Sequence, residues 1–484
     1  MAKVAPARRV ALALVSEARR RAGRMRELMR SSEAFSALDA RDRSLASRLA
    51  LGCVAARGFL DAQVSARVRK PSSVEPRVRD ALALACFELC YLDTPTSAVV
   101  SQGVELVRSV QPRAAGMANA VLRRMVAELL PSVKDARERV VACGTGAQDA
   151  PCPTISTEDL ALVSALPSWL LARIVAAYGA PAACAFALGQ LGPAPVYVAA
   201  NRARHSADET QGLLVSAGLE PEETALPSSF VLGNVAPLAS SGLVQAADVV
   251  VSDLAAQLVA RIAAPAPGER VLEIGQGRGT KSLLLESVAL ERGGLAQIVG
   301  VDSEAFKTGL AQKRVAVAGL ADRVRCVTFD ACDLAGDDLP EALRGTFDLV
   351  FVDAPCSGTG TMRRHPEIAW SLDEAAVKRG GTLPTLQGAL LSAAAAKVRP
   401  GGALVYATCS VLPEENAAVI GAFLSSELGN SFEMQSISDA AGVRTASPEA
   451  RALVRDATDE HGFLQTLPRQ GSCDGHFCAR LVRR

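Results

Sequence analysis

The chain has 484 residues, of which 49% are hydrophobic and 21% are charged, and its formal net charge is +1. This length predicts two to four domains, and the apolar content excludes an intrinsically disordered chain. The apolar run Val10–Val15 is followed at once by three arginines, and the sequence has no 18-residue apolar span. We therefore expect neither a secretory signal nor a membrane-spanning segment. A transit peptide is the alternative, although the apolar residues continue at helical spacing into the domain.

The charge is distributed unevenly along the chain. Residues 1–130 contain 22 lysines and arginines against 12 acidic residues, a net charge of +10, whereas the remainder carries −9. A basic segment on an acidic body predicts a nucleic-acid-binding part joined to a catalytic part. A solvated helical surface rich in arginine would give the same counts, so charge alone leaves both interpretations open.

The N-terminal third has the three- and four-residue apolar spacing that is typical of helices. Short breaks at Lys70–Ser73 and Thr94–Thr96 contain proline, which interrupts helices. We predict an all-α domain over residues 1–140 and a glycine- and proline-containing linker over 141–157.

The next segment, residues 158–240, alternates between helix and strand patterns. Helices are predicted at Trp169–Ala177 and Ala180–Leu191, a strand at Val196–Ala200, and a helix at Ser206–Ala217 with Ser206 as its cap. These elements predict a small α/β subdomain ahead of the main domain.

Residues 241–484 follow a strand–helix–strand pattern. The predicted strands cover 270–274, 296–301, 324–329, 347–352, 403–407 and 475–482. The predicted helices between them cover 252–264, 280–291, 304–318, 383–398 and 415–427. Such alternation predicts a Rossmann-like α/β domain with a doubly wound sheet.

The sequence contains twelve cysteines and four histidines. No two cysteines have C-x-x-C spacing and the histidines are scattered, so we expect no metal site. Most of the cysteines, such as Cys86 and Cys184, lie in apolar segments and are expected to be small core residues. Free thiols in a chain of this length fit a reducing cytoplasm.

A glycine-rich loop follows the predicted strand 270–274, with the sequence Gly275-Gln276-Gly277-Arg278-Gly279-Thr280-Lys281. Glycines permit a tight turn and let the backbone approach a ligand at the start of the next helix. Dinucleotide-binding proteins and methyltransferases share this pattern. The next two strands lead to Asp302 and Asp330, whose carboxylates could bind ribose hydroxyls and an adenine amino group. Together these features indicate a nucleoside-type cofactor, although each acid singly could instead cap a helix.

Two cysteines lie just beyond apolar runs that predict buried strands. Residues 347–352 lead through Asp353 to Cys356, and residues 403–407 lead to Cys409. If the two strands are neighbours, both thiols face one pocket at the carboxyl edge of the sheet. A thiolate that adds to C6 of a flipped-out cytosine would activate C5, with Asp353 hydrogen-bonded to the N3 edge. Composition alone leaves open the alternative that both cysteines are buried strand-end residues.

The residues around these cysteines are similar to a known family. Four stretches resemble the Sun/Fmu (RsmB-type) family of RNA cytosine-C5 methyltransferases: 353–360, 363–367, 404–416 and 474–481. The resemblance implies that Cys409 is the nucleophile and that Cys356 assists product release. It also implies S-adenosylmethionine as the cofactor, with Asp302, Asp330 and Asp353 lining the pocket for cofactor and substrate.

A second resemblance covers the N-terminal third. Four stretches resemble a NusB-type RNA-binding helical domain: 41–43, 76–80, 92–95 and 118–124. This pairing is typical of the branch that modifies 16S ribosomal RNA of the small subunit. It implies ribosomal RNA as the partner, an RNA-binding role for the 158–240 subdomain, a cytoplasmic location, no membrane partner and a monomer.

The cofactor loop departs from the family pattern, and other functions compete with this one. Family members usually have Cys-Ala-Ala-Pro-Gly-Gly-Lys where this chain has residues 275–281, and Lys281 is kept. One alternative is the same chemistry on transfer RNA or 23S ribosomal RNA. Another is an RNA-binding assembly or antitermination-like protein with a vestigial methyltransferase domain. A nicotinamide dehydrogenase is a more distant alternative, because it has no use for paired cysteine loops.

Overall fold

The computed structural model describes residues 4–21, 24–144 and 154–484, and these residues form two compact units. The first, the helical unit, comprises the described residues up to 193 together with 361–374 and 468–471. The second, the sheet unit, comprises residues 194–360, 375–467 and 472–484. Part of the predicted linker, residues 145–153, lies outside the described residues.

The all-α prediction for the N-terminal third is confirmed. The helices of this region are Pro6–Arg21, Met25–Ser31, Glu33–Ser36, Ala40–Ala55, Arg57–Arg67, Pro76–Tyr91, Thr96–Val110, Ala115–Arg124 and Leu130–Gly144. The central one begins with Pro76 at its first position, and the Glu75 carboxylate accepts a hydrogen bond from the Val78 N–H. Proline has no N–H group, so none is left without a partner at the first helical position. The Glu75 carboxylate pairs an N–H group that has no partner within the helix, so neighbouring residues fix the start of this helix.

Some of the positive charge of the helical unit is neutralised within its own core. Arg8 donates to the buried Glu88 carboxylate at 2.9 Å, and Arg19 donates to Asp80 at 2.7 Å and to Asp61 at 2.9 Å. Buried charges need such partners because burial removes their hydration. The net charge of +10 for residues 1–130 already counts these acids, so the buried pairs do not reduce it.

Two more helices, Thr157–Ser164 and Ser168–Gln190, belong to the helical unit. The sequence pattern assigned them to the α/β subdomain, but they pack on Leu130–Gly144 and on each other. Ser156 and Asp159 form a capping box at the start of the first. Helical spacing shows that a helix has an apolar face, but it does not show which neighbour covers that face.

The helix Ser168–Gln190 is long and apolar enough to cross a membrane, judged by length and composition. Gly179 interrupts it with φ 76°, so it consists of two segments, as the sequence predicted. Each segment rises only about 16 Å, roughly half the thickness of the hydrocarbon core of a bilayer. Neither segment could span a membrane alone.

Residues Thr361–Glu374 also pack in the helical unit. The Trp370 indole N–H donates to the Ala55 carbonyl at 3.0 Å, and its ring lies against Gly58, where a Cβ atom would overlap it. Arg26 donates to the Arg364 carbonyl at 2.9 Å. These contacts join residues that lie some 300 positions apart, which local sequence patterns do not reveal.

The sheet unit begins with a small antiparallel sheet. Its strands are β1 (Tyr197–Ala200), β2 (Pro221–Glu223), β3 (Ser229–Leu232) and β4 (Val249–Val251), in the order β2-β3-β1-β4. The predicted cap at Ser206 is confirmed, because its hydroxyl accepts from the Glu209 N–H at the start of helix Ala207–Ser216.

The main sheet has eight strands, and its predicted strands are confirmed to within a few residues, although β9 begins five residues earlier than expected. They are β5 (Arg270–Ile274), β6 (Gln297–Asp302), β7 (Val324–Thr328), β8 (Phe347–Asp353), β9 (Val398–Thr408), β10 (Phe432–Gln435), β11 (Leu464–Gln465) and β12 (Phe477–Arg483). The order is β10-β12-β9-β8-β5-β6-β7, with β11 paired to β12. The strands β5 to β9 pair in parallel, and β12 pairs antiparallel with β9 and β10. The short β10 and β11 lack the long apolar runs that identify the others.

The helices around this sheet cover both of its faces. They are Leu254–Ala263, Thr280–Glu291, Ala305–Val317, Glu374–Val377, Thr382–Ala395, Ala417–Leu424, Ala441–Arg444 and Pro448–Asp456. Phe351 and Val405 belong to the core on one face, and Val350 and Leu404 to the core on the other. Burial on both faces explains the unbroken apolar runs of β8 and β9.

The candidate active site

The strand order brings the two cysteine loops together. Strands β8 and β9 are neighbours, and Asp353 at the end of β8 pairs with Ala407 near the end of β9. The Cys356 and Cys409 sulfurs lie 3.2 Å apart, and both side chains are half-buried. The two cysteine loops therefore meet at one edge of the sheet, as expected if the strands are neighbours.

The two thiols differ in their tendency to ionise. The hydrogen bond from Cys356 lowers the pKa of Cys409, and the Lys281 ammonium acts in the same direction against burial and nearby carboxylates. The same bond, together with burial, raises the pKa of Cys356 well above its usual value. Cys409 is therefore the thiol that ionises first, with Cys356 as the proton donor to it.

Lys281 and Asp353 form an ion pair beside these thiols. Their Nζ and Oδ2 atoms are 2.5 Å apart. Burial alone would lower the pKa of Lys281, but the Asp353 carboxylate outweighs it and raises that pKa. Lys281 therefore stays protonated at neutral pH and supplies a positive charge near the Cys409 sulfur.

The glycine-rich loop lies between β5 and helix Thr280–Glu291. Gly275, Gly277 and Gly279 all have positive φ, of 80°, 59° and 73°. A Cβ atom at Gly275 would also overlap the Asp353 carbonyl oxygen, so this position needs glycine for two reasons. The loop thus leaves open backbone at the start of a helix, which fits a bound nucleoside-type group.

The other loop side chains point in different directions. Gln276 is buried, donates to the Ser282 hydroxyl at 3.0 Å and covers Gly300. The Thr280 hydroxyl accepts from Arg314 at 2.6 Å, and Arg278 is exposed. Gln276 therefore contributes its backbone rather than its side chain to the loop surface.

The two strand-end acids have local partners. Asp302 is 8% exposed, and its oxygens accept from the N–H groups of Gly277 and Glu304, both at 3.0 Å. Asp330 is exposed and accepts from the Cys332 N–H at 3.0 Å. Both acids therefore cap backbone groups, and a carboxylate has enough lone pairs to accept further hydrogen bonds from ribose hydroxyls or an amino group.

Two buried acids near the site were not singled out from the sequence. Burial raises the pKa of Glu273, on β5, to about 8, and the Ser282 hydroxyl donates to it. Glu415, beyond β9, is fully buried and hydrogen-bonded to the residues that follow both cysteines. An acid within an apolar strand was the available signal for Glu273. Glu415 lies within the 404–416 stretch that resembles the known family, but the resemblance gave it no role.

Comparison with known proteins finds two family matches and similar full-length relatives. Residues 260–482 match the family model "16S rRNA methyltransferase RsmB/F", and residues 5–127 match the NusB family. Ribosomal RNA small subunit methyltransferase B from Escherichia coli O6:K15:H31 (strain 536 / UPEC) is 29% identical over 453 residues, covering 92% of this chain and 91% of that protein.

Solved structures share the fold. The crystal structure of PH0851 covers 99% of both chains with a TM-score of 0.72 and 21% identity. A methyltransferase homolog protein from Pyrococcus horikoshii covers 68% of this chain and 99% of its own, with a TM-score of 0.53 and 20% identity. The solved structures share the fold, and the family matches identify the domains: residues 260–482 form a 16S rRNA methyltransferase RsmB/F domain, and residues 5–127 form a NusB-family domain.

Proposed function

We propose that the protein methylates C5 of a cytosine in 16S ribosomal RNA through a covalent bond between Cys409 and C6 of the base. The observation that carries this proposal is the pair of thiols at neighbouring strand ends, 3.2 Å apart and beside the Lys281–Asp353 ion pair. A cytosine ring is a poor nucleophile at C5, and addition of a thiolate to C6 makes C5 reactive.

Each side chain has a distinct task in this proposal. The Cys409 thiolate forms the C6–S bond, and the displaced electron pair of the ring is neutralised by a proton at N3. The Asp353 carboxylate would then accept a hydrogen bond from this N3–H edge. S-adenosylmethionine supplies the methyl group that C5 receives. Removal of the C5 proton then lets the C6–S bond break, which returns the electron pair to Cys409 as a thiolate.

The pKa of Cys356 suggests how it assists this release. Its pKa is raised first by the hydrogen bond with Cys409 and also by the negative charge of that thiolate. Both effects end once Cys409 is bonded to C6, because the sulfur is then neutral. Cys356 would ionise more readily at that stage and could accept the C5 proton, directly or through water.

The proposed cofactor site consists of the loop Gly275–Lys281 with Asp302, Asp330 and Asp353. Positive φ at the three loop glycines leaves room for a ligand against the backbone. Asp302 would accept hydrogen bonds from the ribose hydroxyls, and the exposed Asp330 could reach an adenine amino group. Lys281 remains paired with Asp353 at the border between cofactor and substrate.

The small-subunit assignment rests on the RsmB/F match together with the NusB-family domain. We further propose a cytoplasmic monomer that binds ribosomal RNA partly through the basic helical unit. Transfer RNA or 23S ribosomal RNA is the second candidate substrate. The alternative of an RNA-binding protein with a vestigial methyltransferase domain is disfavoured. Such a protein would have no use for two thiols beside the Lys281–Asp353 ion pair.

Bisulfite sequencing of ribosomal RNA tests this function. Cells that lack the gene should lose one protected cytosine in 16S RNA, and the wild-type gene should restore it. A gene with Cys409→Ser should not restore it, whereas the control Cys90→Ser, in the helical unit, should. An unchanged 16S pattern with a change in transfer RNA or 23S RNA would reassign the substrate, and no change in any RNA would contradict enzymatic activity.

A further inference from the structure

Glu415 is a carboxylate without solvent exposure, six positions after Cys409. Its Oε1 atom accepts from the Ser357 N–H at 2.8 Å and from the Gln387 amide at 3.0 Å. Its Oε2 atom accepts from the hydroxyls of Ser357 and Ser410, both at 2.5 Å. All four donors are neutral, so hydrogen bonds rather than a cation stabilise the buried charge.

The two serines directly follow the two thiols in the chain. Ser357 follows Cys356, Ser410 follows Cys409, and the two serine oxygens are 3.2 Å apart. One carboxylate therefore holds the residue after each cysteine, one in the loop that follows β8 and the other just beyond β9. Thr359 strengthens the same cluster, because its hydroxyl lies 3.1 Å from both serine oxygens.

The segment that carries Glu415 is itself anchored to β9. The Tyr406 hydroxyl donates to the Glu415 carbonyl at 2.7 Å. Asn416 donates to the Ser410 carbonyl at 2.9 Å and accepts from the Thr408 hydroxyl at 2.6 Å. The carboxylate therefore has a defined position relative to both loops, and its removal would leave several buried donors without an acceptor.

We propose that Glu415 is a positioning residue that sets the spacing of the Cys356 and Cys409 sulfurs. It touches neither substrate nor cofactor in this scheme and acts through Ser357 and Ser410. The inference rests on the proposed function for its catalytic consequence, but the spacing of the two sulfurs can be measured without any methyl transfer.

The first experiment measures this spacing chemically in the full-length protein. Diamide takes two electrons and two protons from a pair of thiols and leaves a disulfide, which forms readily only when the sulfurs are close. Wild-type protein and the exposed control Glu427→Gln should form the Cys356–Cys409 disulfide at equal rates, as followed by peptide mass spectrometry. Glu415→Gln should form this disulfide about tenfold more slowly. In this variant an amide NH2 group, which donates hydrogen bonds, replaces the oxygen that accepts from the Ser357 and Ser410 hydroxyls.

The second experiment measures methylation kinetics with the same variants. A misplacement near 1 Å can cost about 100-fold in rate, so kcat should fall strongly in Glu415→Gln. The KM for RNA and the dissociation constant for S-adenosylmethionine should stay close to the wild-type values. Glu415→Asp, which keeps the charge but is shorter, should recover part of both the disulfide rate and kcat.

The outcomes separate this inference from the proposed function. An unchanged disulfide rate in folded Glu415→Gln would overturn the positioning role, whatever the activity. A slower disulfide rate in a protein that methylates no RNA even as wild type would support the positioning role and contradict the proposed function. If Glu415→Gln does not fold, Ser410→Ala, which removes one of the four donors, carries the same test with a smaller expected effect.

Discussion

The Cys356 sulfur lies 3.2 Å from the Cys409 sulfur, although 53 positions separate the two residues in the chain. The parallel pairing of β8 with β9 produces this proximity, because it places the carboxyl ends of both strands at one edge of the sheet. The two thiols are hydrogen-bonded to each other, so each affects the ionisation of the other.

Substitution of each cysteine should separate their roles. Cys409→Ser should abolish methylation, because a hydroxyl is far less ionised than a thiol at neutral pH. Cys356→Ser should still form the C6 bond but release it slowly. Incubation with RNA and S-adenosylmethionine should then give a protein–RNA adduct that survives denaturing electrophoresis.

The double variant is the control for this experiment and should give no adduct. An adduct in Cys409→Ser rather than in Cys356→Ser would reverse the assigned roles. Absence of an adduct in both single variants would leave Cys356 without a role in release.

The rate of methylation should depend on pH through Cys409. The thiolate is the reactive form, and its pKa is lowered by the Cys356 hydrogen bond and then by Lys281. The rate should therefore rise with pH and reach half its maximum at a lower pH than an ordinary thiol would give. Lys281→Met removes a positive charge that favours the thiolate and should move this midpoint to higher pH.

The pH profile should be measured as kcat at saturating RNA and cofactor. Lys313→Met, on the exposed surface of helix Ala305–Val317, is the matched control and should leave the midpoint in place. A midpoint that moves to lower pH in Lys281→Met would contradict the electrostatic role of the lysine.

Two loop glycines should respond differently to alanine. Both Gly275 and Gly277 have positive φ, which costs a non-glycine residue about 1–2 kcal/mol. Only at Gly275 would the added Cβ atom also overlap the Asp353 carbonyl oxygen. Gly275→Ala should therefore abolish S-adenosylmethionine binding in calorimetry and lower the Tm, whereas Gly277→Ala should weaken binding less.

Equal affinities in the two glycine variants would show that the close approach of the loop to β8 does not matter for the cofactor. If wild-type protein fails to bind at millimolar S-adenosylmethionine even with RNA present, the proposed cofactor site itself is wrong.

The exposed arginines of the helical unit should contribute to RNA affinity. Arg30, Arg41 and Arg113 are exposed, and their replacement by alanine in the full-length chain avoids removal of packed helices. For single-stranded RNA, each arginine that no longer neutralises a phosphate should reduce the slope of log affinity against log salt by about 0.7. The triple variant should therefore bind more weakly, with a slope shallower by about 2.

Filter binding at several salt concentrations gives this slope. Arg451→Ala, on an exposed helix of the sheet unit, is the single-charge control and should change the slope little. Equal slopes for wild type and the triple variant would show that these arginines are solvated surface residues that contact no phosphate.

The sequence by itself determined the longer helices and strands and singled out the glycine loop and the two cysteine loops. The runs that became β5, β6, β7, β8 and β12 were found to within two residues of their observed ends, because strands are rich in β-branched and other apolar residues. The glycine loop and the two cysteine loops were found because few residue types can take their place. Glycine adopts positive φ at little cost, and cysteine supplies a reactive thiol. The resemblance to known families then supplied roles for Cys409 and Cys356.

Only the tertiary structure decided which elements share a core and which side chains meet. Helices Thr157–Ser164 and Ser168–Gln190 and the segment Thr361–Glu374 pack in the helical unit, which local sequence patterns do not reveal. The four hydrogen bonds to Glu415 likewise come from three separate parts of the chain. Periodicity and turn chemistry are local, whereas packing and buried hydrogen bonds depend on distant residues that the fold brings together.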